Sequence, residues 1–189
     1  MTRLRSAALT SGLLALIPTA ALAADASVIG DWLVKDGYAN IRIDNCGGKM
    51  WGIVVWEKES GLDTENPDPA KRTRPTLGIP VLMGLSPAKE PGKWSGEIYN
   101  SNNGKMYSAS ISLADENTLD LEGCLVWPLC QTQKWTRVKT LPPNAAPLPP
   151  LPAATKQAPP AKKGAAAPPP SEVCMRVAAD TAPQSNAKK

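Results

Sequence analysis

The sequence predicts an all-β fold, a sandwich or a small barrel of seven or eight strands. Three observations carry this expectation. Apolar residues recur at every second position, turn dipeptides separate the runs, and no segment sustains the 3.6-residue period of a helix.

In chain order, the first predicted strand covers residues 29–35 and ends at the Asp36-Gly37 turn signal. Residues 38–44 follow, with Ala39, Ile41 and Ile43 set against Asn40, Arg42 and Asp44. After Cys46-Gly47-Gly48, residues 50–56 are apolar on both faces, which predicts a strand that is central or covered on both sides. Residues 77–85 and 94–100 are shorter candidates, with Pro91-Gly92 between them. Asn103-Gly104, the dipeptide of tight hairpins, leads into residues 105–113, where Tyr107, Ala109, Ile111 and Leu113 alternate with three serines. Leu119 and Leu121 oppose Asp120 and Glu122 in residues 118–124, and residues 131–138 form the last candidate. The chain has no Phe, so its core must draw on Val, Ile, Leu and the indoles of Trp32, Trp51, Trp56, Trp94, Trp127 and Trp135. Each buried indole also needs a partner for its N–H.

Composition divides the chain into a leader (residues 1–23), one domain (24–139) and a Pro/Ala/Lys-rich tail (140–189). Arg3 and Arg5 precede an apolar run of about 11 residues, too short for a bilayer core that needs about 20. Pro18 and Ala21-Leu22-Ala23 then complete a cleavable signal, which predicts a periplasmic or secreted protein. No Cys follows the cleavage site to carry a lipid anchor. Residues 25–138 hold 12 Lys and Arg against 15 Asp and Glu, whereas residues 139–189 hold 7 against 2. The basic character therefore belongs to the tail, and an acidic domain argues against a nucleic-acid partner. Twelve of the 20 prolines lie beyond residue 141, a composition that predicts a disordered tail. Its lysines suggest weak contact with anionic envelope polymers.

An exported setting makes the four cysteines candidates for disulfides. Cys124 and Cys130 flank Pro128 across five residues, and their pairing is favoured. Cys46 and Cys174 remain, to pair by folding the tail back or to cross-link Cys174 to another chain. The chain has no His and no C-x-x-C, so no metal site is expected.

An ordered set of fragments runs through residues 29–138. It comprises Gly30-Asp31-Trp32, Ile43 to Cys46 with Gly52-Ile53-Val54, Asp63 with Asn66-Pro67-Asp68, Arg72, Arg74-Pro75 and Leu77-Gly78. Trp94 to Tyr99, Gly104-Lys105 with Tyr107, Thr118-Leu119, Gly123-Cys124, Thr132-Gln133 and Trp135-Thr136-Arg137 continue it. Together these fragments resemble the exported bacterial family called domain of unknown function 2147. The resemblance implies a compact lipocalin-like β-barrel and brings no established reaction. Trp51 stands where many members have a second cysteine that would partner Cys46, and Asn100-Ser101 replaces an Asp-Pro pair.

Chemistry is sparse. Without His, a Ser–His or Cys–His pair is impossible, and no phosphate-binding glycine motif is present. Residues 61–78 are the most unusual stretch, acidic first (Asp63, Glu65, Asp68) and basic second (Lys71, Arg72, Arg74). Arg72 and Arg74 in an extended segment project to one side and suit a carboxylate or phosphate. Their alternative is internal pairing with Asp63 or Asp68. Calcium at Asp63, Glu65, Asn66 and Asp68 lacks EF-hand spacing. Gln133, Trp135 and Arg137 share one face of the last strand and suit a small amphipathic ligand inside a barrel. The alternative places Arg137 at the rim with its stem over Trp135.

The ligand-binding candidates are thus Asp63, Asn66, Asp68, Arg72, Arg74, Gln133, Trp135 and Arg137, with no catalytic residue and no cofactor expected. The leading expectation is a non-enzymatic exported barrel that binds a small molecule or an envelope component. A protein-interaction module of the envelope, inhibitor-like or assembly-assisting, is the alternative, and a hydrolase using the loop carboxylates comes third.

Overall fold

The computed structural model describes residues 27–126, 128–151 and 170–182. The leader read at residues 1–23 and the tail residues 152–169 lie outside the described residues.

Eight antiparallel strands close into a barrel in strict sequence order: β1 (Gly30–Leu33), β2 (Ala39–Cys46), β3 (Lys49–Glu57), β4 (Pro80–Pro87), β5 (Trp94–Asn100), β6 (Lys105–Asp115), β7 (Thr118–Val126) and β8 (Leu129–Val138). β1 pairs with β8 at Trp32↔Arg137, which removes both sheet edges. Every predicted run has its strand. The greatest shift is at β4, which starts at Pro80 because Leu77-Gly78-Ile79 still belong to the preceding loop.

Because the strands form a simple meander, successive connections alternate between two ends. The loops β1–β2, β3–β4, β5–β6 and β7–β8 gather at one end, called the mouth below. The short turns at Gly47-Gly48, Pro91-Gly92 and Glu116-Asn117 gather at the other. Inward-facing residues from all eight strands fill the lower barrel, with Trp32, Ile43, Leu82, Leu85, Ile111 and Leu119 essentially without solvent contact.

At the far end Arg137 covers Trp32. The Arg137 guanidinium lies 4.1 Å over the Trp32 ring and donates to the carbonyls of Glu116, Ile29 and Ser27 at 2.6, 2.9 and 2.6 Å. The cation is thus stacked and hydrogen-bonded at the same time, so it covers the indole without being orphaned. Gly30 makes room for it. A Cβ there would stand 2.7 Å from Arg137 Nη1, and φ of +137° already favours glycine. The Trp32 indole N–H donates to Val28 O at 2.8 Å.

The reading of residues 140–189 as a disordered tail needs correction at both described parts. Leu141 and Leu148 pack on the outer face of the barrel, and Glu172–Thr181 forms a helix, α1. Val173 and Val177, one turn apart, cover Ile53 and Val55 on the outer face of β3, and all four are buried. This explains why β3 is apolar on both sides. Ser171 caps the helix by accepting from Cys174 N at 3.3 Å, and Cys174 is bonded to Cys46 at the end of β2. Composition favoured disorder here because the apolar signal is only two valines. The covalent tie and the waiting patch on β3 provide what helix propensity does not.

The second disulfide joins Cys124 and Cys130 across the β7–β8 turn, as expected. The sequence separations are 128 and 6 residues. Chain-entropy scaling therefore gives the Cys46–Cys174 bond about 5 kcal/mol and the hairpin bond about 2 kcal/mol. Urea denaturation of the paired Cys→Ser variants should return that order. Equal losses would show that the long bond leaves the unfolded chain no more restricted than the short one.

Candidate functional site

A cup of about 1160 Å³ opens at the mouth of the barrel. Its apolar wall comes from alternate residues of several strands, among them Ile41, Val54, Val81, Ile98 and Leu121, with Trp135 below. The Trp135 side chain is buried, and its indole N–H reaches Gln133 Oε1 at 3.4 Å. Gln133 and the Tyr107 hydroxyl add polar groups to the wall, while Asp36, Glu57, Glu59 and Glu65 ring the opening against a single Lys58.

The loop between β3 and β4 crosses this opening, and one buried carboxylate holds it in place. Asp63 is fully buried. Its Oδ1 accepts from the Tyr99 hydroxyl at 2.6 Å, and its Oδ2 accepts from Asn66 Nδ2 at 2.7 Å and from Arg74 Nε at 3.0 Å. Arg74 Nη2 lies 2.9 Å from the same oxygen. The backbone repeats the tie, with Asp63 N donating to Arg74 O at 3.0 Å beside a bridge between Leu62 and Pro75. Asn66 Oδ1 accepts from Asp68 N, and Asp68 caps the 3-10 turn over Pro69–Lys71 by accepting from Ala70 N at 3.0 Å. Arg72 donates from Nε to Asn66 O at 2.8 Å.

Helix α1 joins the same network from outside the barrel. Asp180 accepts from Lys71 Nζ at 3.2 Å and from Arg74 Nη1. Arg74 therefore bridges two carboxylates, Asp63 from the loop and Asp180 from the helix. At the opposite edge of the loop, Gly104 in the β5–β6 turn approaches the Glu65 carbonyl so closely that a Cβ would fall on it.

The structure thus sorts the candidate residues into three places. Asp63, Asn66, Asp68, Arg72 and Arg74 come together, but they are turned on one another, which is the internal-pairing alternative. Gln133 and Trp135 line the cup. Arg137 shares their inward face yet lies at the far end, where it is committed to Trp32 and three carbonyls. Sequence reasoning missed Tyr99 as the partner of Asp63 and Asp180 as the partner of Arg74. Both are distant in sequence, and only the Ile98-Tyr99 fragment carried any signal. Among the described residues, Glu122, Cys124 and Cys130 have ligand atoms within 4.8 Å of one another, but the disulfide consumes both sulfurs.

Burial, and then the hydrogen bond to Asp63, push the Tyr99 hydroxyl up to about 12 from its ordinary 10.0. The neutral phenol is the form that the folded state favours. Its contribution is complete below pH 10 and is lost as pH rises from 10 through 12. A fall in stability over that window, smaller in Tyr99→Phe because Tyr38 is also raised by burial, is the expected result by alkaline denaturation. Arg74→Ala should cost about 3–5 kcal/mol because it strands a buried carboxylate. Arg72→Ala, which removes one hydrogen bond from an exposed residue, should cost about 1 kcal/mol. Thermal melts of the two variants test that contrast.

The family model of uncharacterised proteins conserved in bacteria, DUF2147, matches residues 30–137, more than half of the chain. Among solved structures, the chain is similar to protein HP1028 of Helicobacter pylori, described as belonging to the lipocalin family. The identity is 19% and the TM-score 0.54, over 59% of this chain and 83% of that one. At that identity the likeness concerns the fold. Comparison with curated proteins finds no match.

Proposed function

Since the chain belongs to the DUF2147 family, whose description assigns no activity, we propose a function from the site: the cup binds a small amphipathic molecule in an exported setting. The cavity of about 1160 Å³ is the observation that carries this reading. It is large enough for a lipid-sized or drug-sized ligand, since such sites typically span about 300–1,000 Å³. The apolar part of the wall takes the apolar body of a ligand, the equally extensive polar lining meets its head, and Gln133 and Tyr107 are placed to orient it. The four carboxylates at the opening disfavour an anionic head group and favour a neutral or cationic one.

Binding is also favoured over hydrolysis by how the loop acids are used. Both oxygens of Asp63 are engaged, and Asp68 is committed to a backbone cap. These two acids are therefore used to hold the loop, which supports the binding reading over the glycosidase one. Two disulfides support the exported setting, because such bonds persist outside the reducing cytoplasm. On this reading the protein works in the periplasm or beyond the cell, as the leader suggests. The lysine-rich residues 152–169 would then meet anionic envelope polymers.

The neutral fluorophore N-phenyl-1-naphthylamine tests the cup directly. It should brighten on binding, and Val54→Trp, which fills the cup from the wall, should abolish the signal. Dodecyltrimethylammonium should displace the probe at a concentration about tenfold lower than dodecyl sulfate, both kept below their micelle points. Native mass spectrometry of protein isolated from the producing bacterium should show retained mass. A probe signal that survives Val54→Trp would place binding outside the cup.

A further inference from the structure

The hairpin between β7 and β8 departs from the chemistry of the other mouth loops. Between Cys124 and Cys130 the sequence reads Leu-Val-Trp-Pro-Leu, without one polar side chain. The Cys124–Cys130 disulfide closes it at a Cα–Cα distance of 4.0 Å. Leu125, Val126 and Leu129 stand 66%, 59% and 64% exposed, the three most exposed large apolar residues among those described. Tyr38 and Leu62, also exposed, belong to neighbouring mouth loops. Leu125 and Leu129 border the cup as well, so one apolar surface runs from the tip down to the cup wall.

We propose that this tip is a bilayer-docking surface, which enters the boundary between lipid headgroups and acyl chains with the mouth of the cup turned toward the membrane. The inference rests on the cup reading for its purpose, since an amphiphile then passes between membrane and cup without crossing water. The size and chemistry of the tip formed by Leu125, Val126 and Leu129 select a bilayer as its occupant. Its few side chains cover only a few hundred Å², well below the roughly 800 Å² per partner of a stable protein interface. A fluid bilayer, unlike a second copy of the chain, requires no complementary pocket. The carboxylates around the opening give anionic headgroups no attraction to this face, so insertion of apolar side chains supplies the affinity.

Flotation of the full chain with phosphatidylcholine vesicles tests this. The protein should rise with the vesicles and continue to do so in about 0.5 M salt, which screens charge contacts. Val126→Asp should lower the partition about tenfold or more, because Val126 would no longer enter the apolar layer. Val126 does not border the cup, so naphthylamine binding and the thermal midpoint should stay as in the wild type. Leu125→Ser combined with Leu129→Ser should lower the partition about a hundredfold. A wild-type chain that stays with the dense fraction, or a Val126→Asp chain that floats as well as the wild type, would overturn the proposal. The cup-filled Val54→Trp chain separates the two readings. If it floats while the wild type fails to bind the naphthylamine, docking stands and the cup reading falls. If the wild type binds the probe but does not float, docking falls alone.

Discussion

A carboxylate with no solvent contact must have its charge and its lone pairs answered locally, or the loop that carries it will not stay in place. Asp63 meets that demand with a phenol from the barrel wall, an amide from its own loop and a guanidinium from the returning strand of the loop. Everything at the mouth follows from this. The crossing loop is anchored to β5 through Tyr99, so its position over the opening is set by the barrel. The arginine that completes the shell has a free arm, and Asp180 of α1 takes it. A single buried charge thus fixes the loop, shapes the opening and gives an external helix a point of attachment.

The two ends of the barrel solve opposite problems with the same type of side chain. At the far end Arg137 is spread over an indole and held by carbonyls, so a cation is held without a carboxylate partner. At the mouth Arg74 has two carboxylates. The interior between them grades from tightly packed Trp32 and Leu119, through Trp135, to the open cup. The cup of about 1160 Å³ lies in the upper half, toward the mouth loops.

Much of this was legible in the sequence because the barrel is a meander. Period-two alternation and turn signals are local, and local patterns suffice when each strand pairs with its neighbour in the chain. Residues 105–113 and the Asn103-Gly104 turn are the plainest cases. The doubly apolar β3 even announced a covering layer without saying what it was. What escaped was non-local. Nothing near Asp63 in sequence points to Tyr99, and two valines in a helix of ten residues do not outweigh a tail rich in Pro, Ala and Lys. The face shared by Gln133, Trp135 and Arg137 was readable by alternation, but alternation says nothing about depth along the barrel axis. Depth is what divides Arg137 from the other two.

The bond between Cys46 and Cys174 also changes what a cut in the backbone means. It joins the far end of β2 to a helix that lies beyond the family-matched region, across residues 152–169. Cleavage anywhere in that stretch yields two fragments that remain one covalent molecule, with Val173 and Val177 still seated on β3 and Asp180 still within reach of Arg74. Trimming of the connector is consequently silent to the mouth of the cup. It becomes a loss of the helix only where thiols are also reduced, so the compartment's redox state decides whether a protease can change this protein.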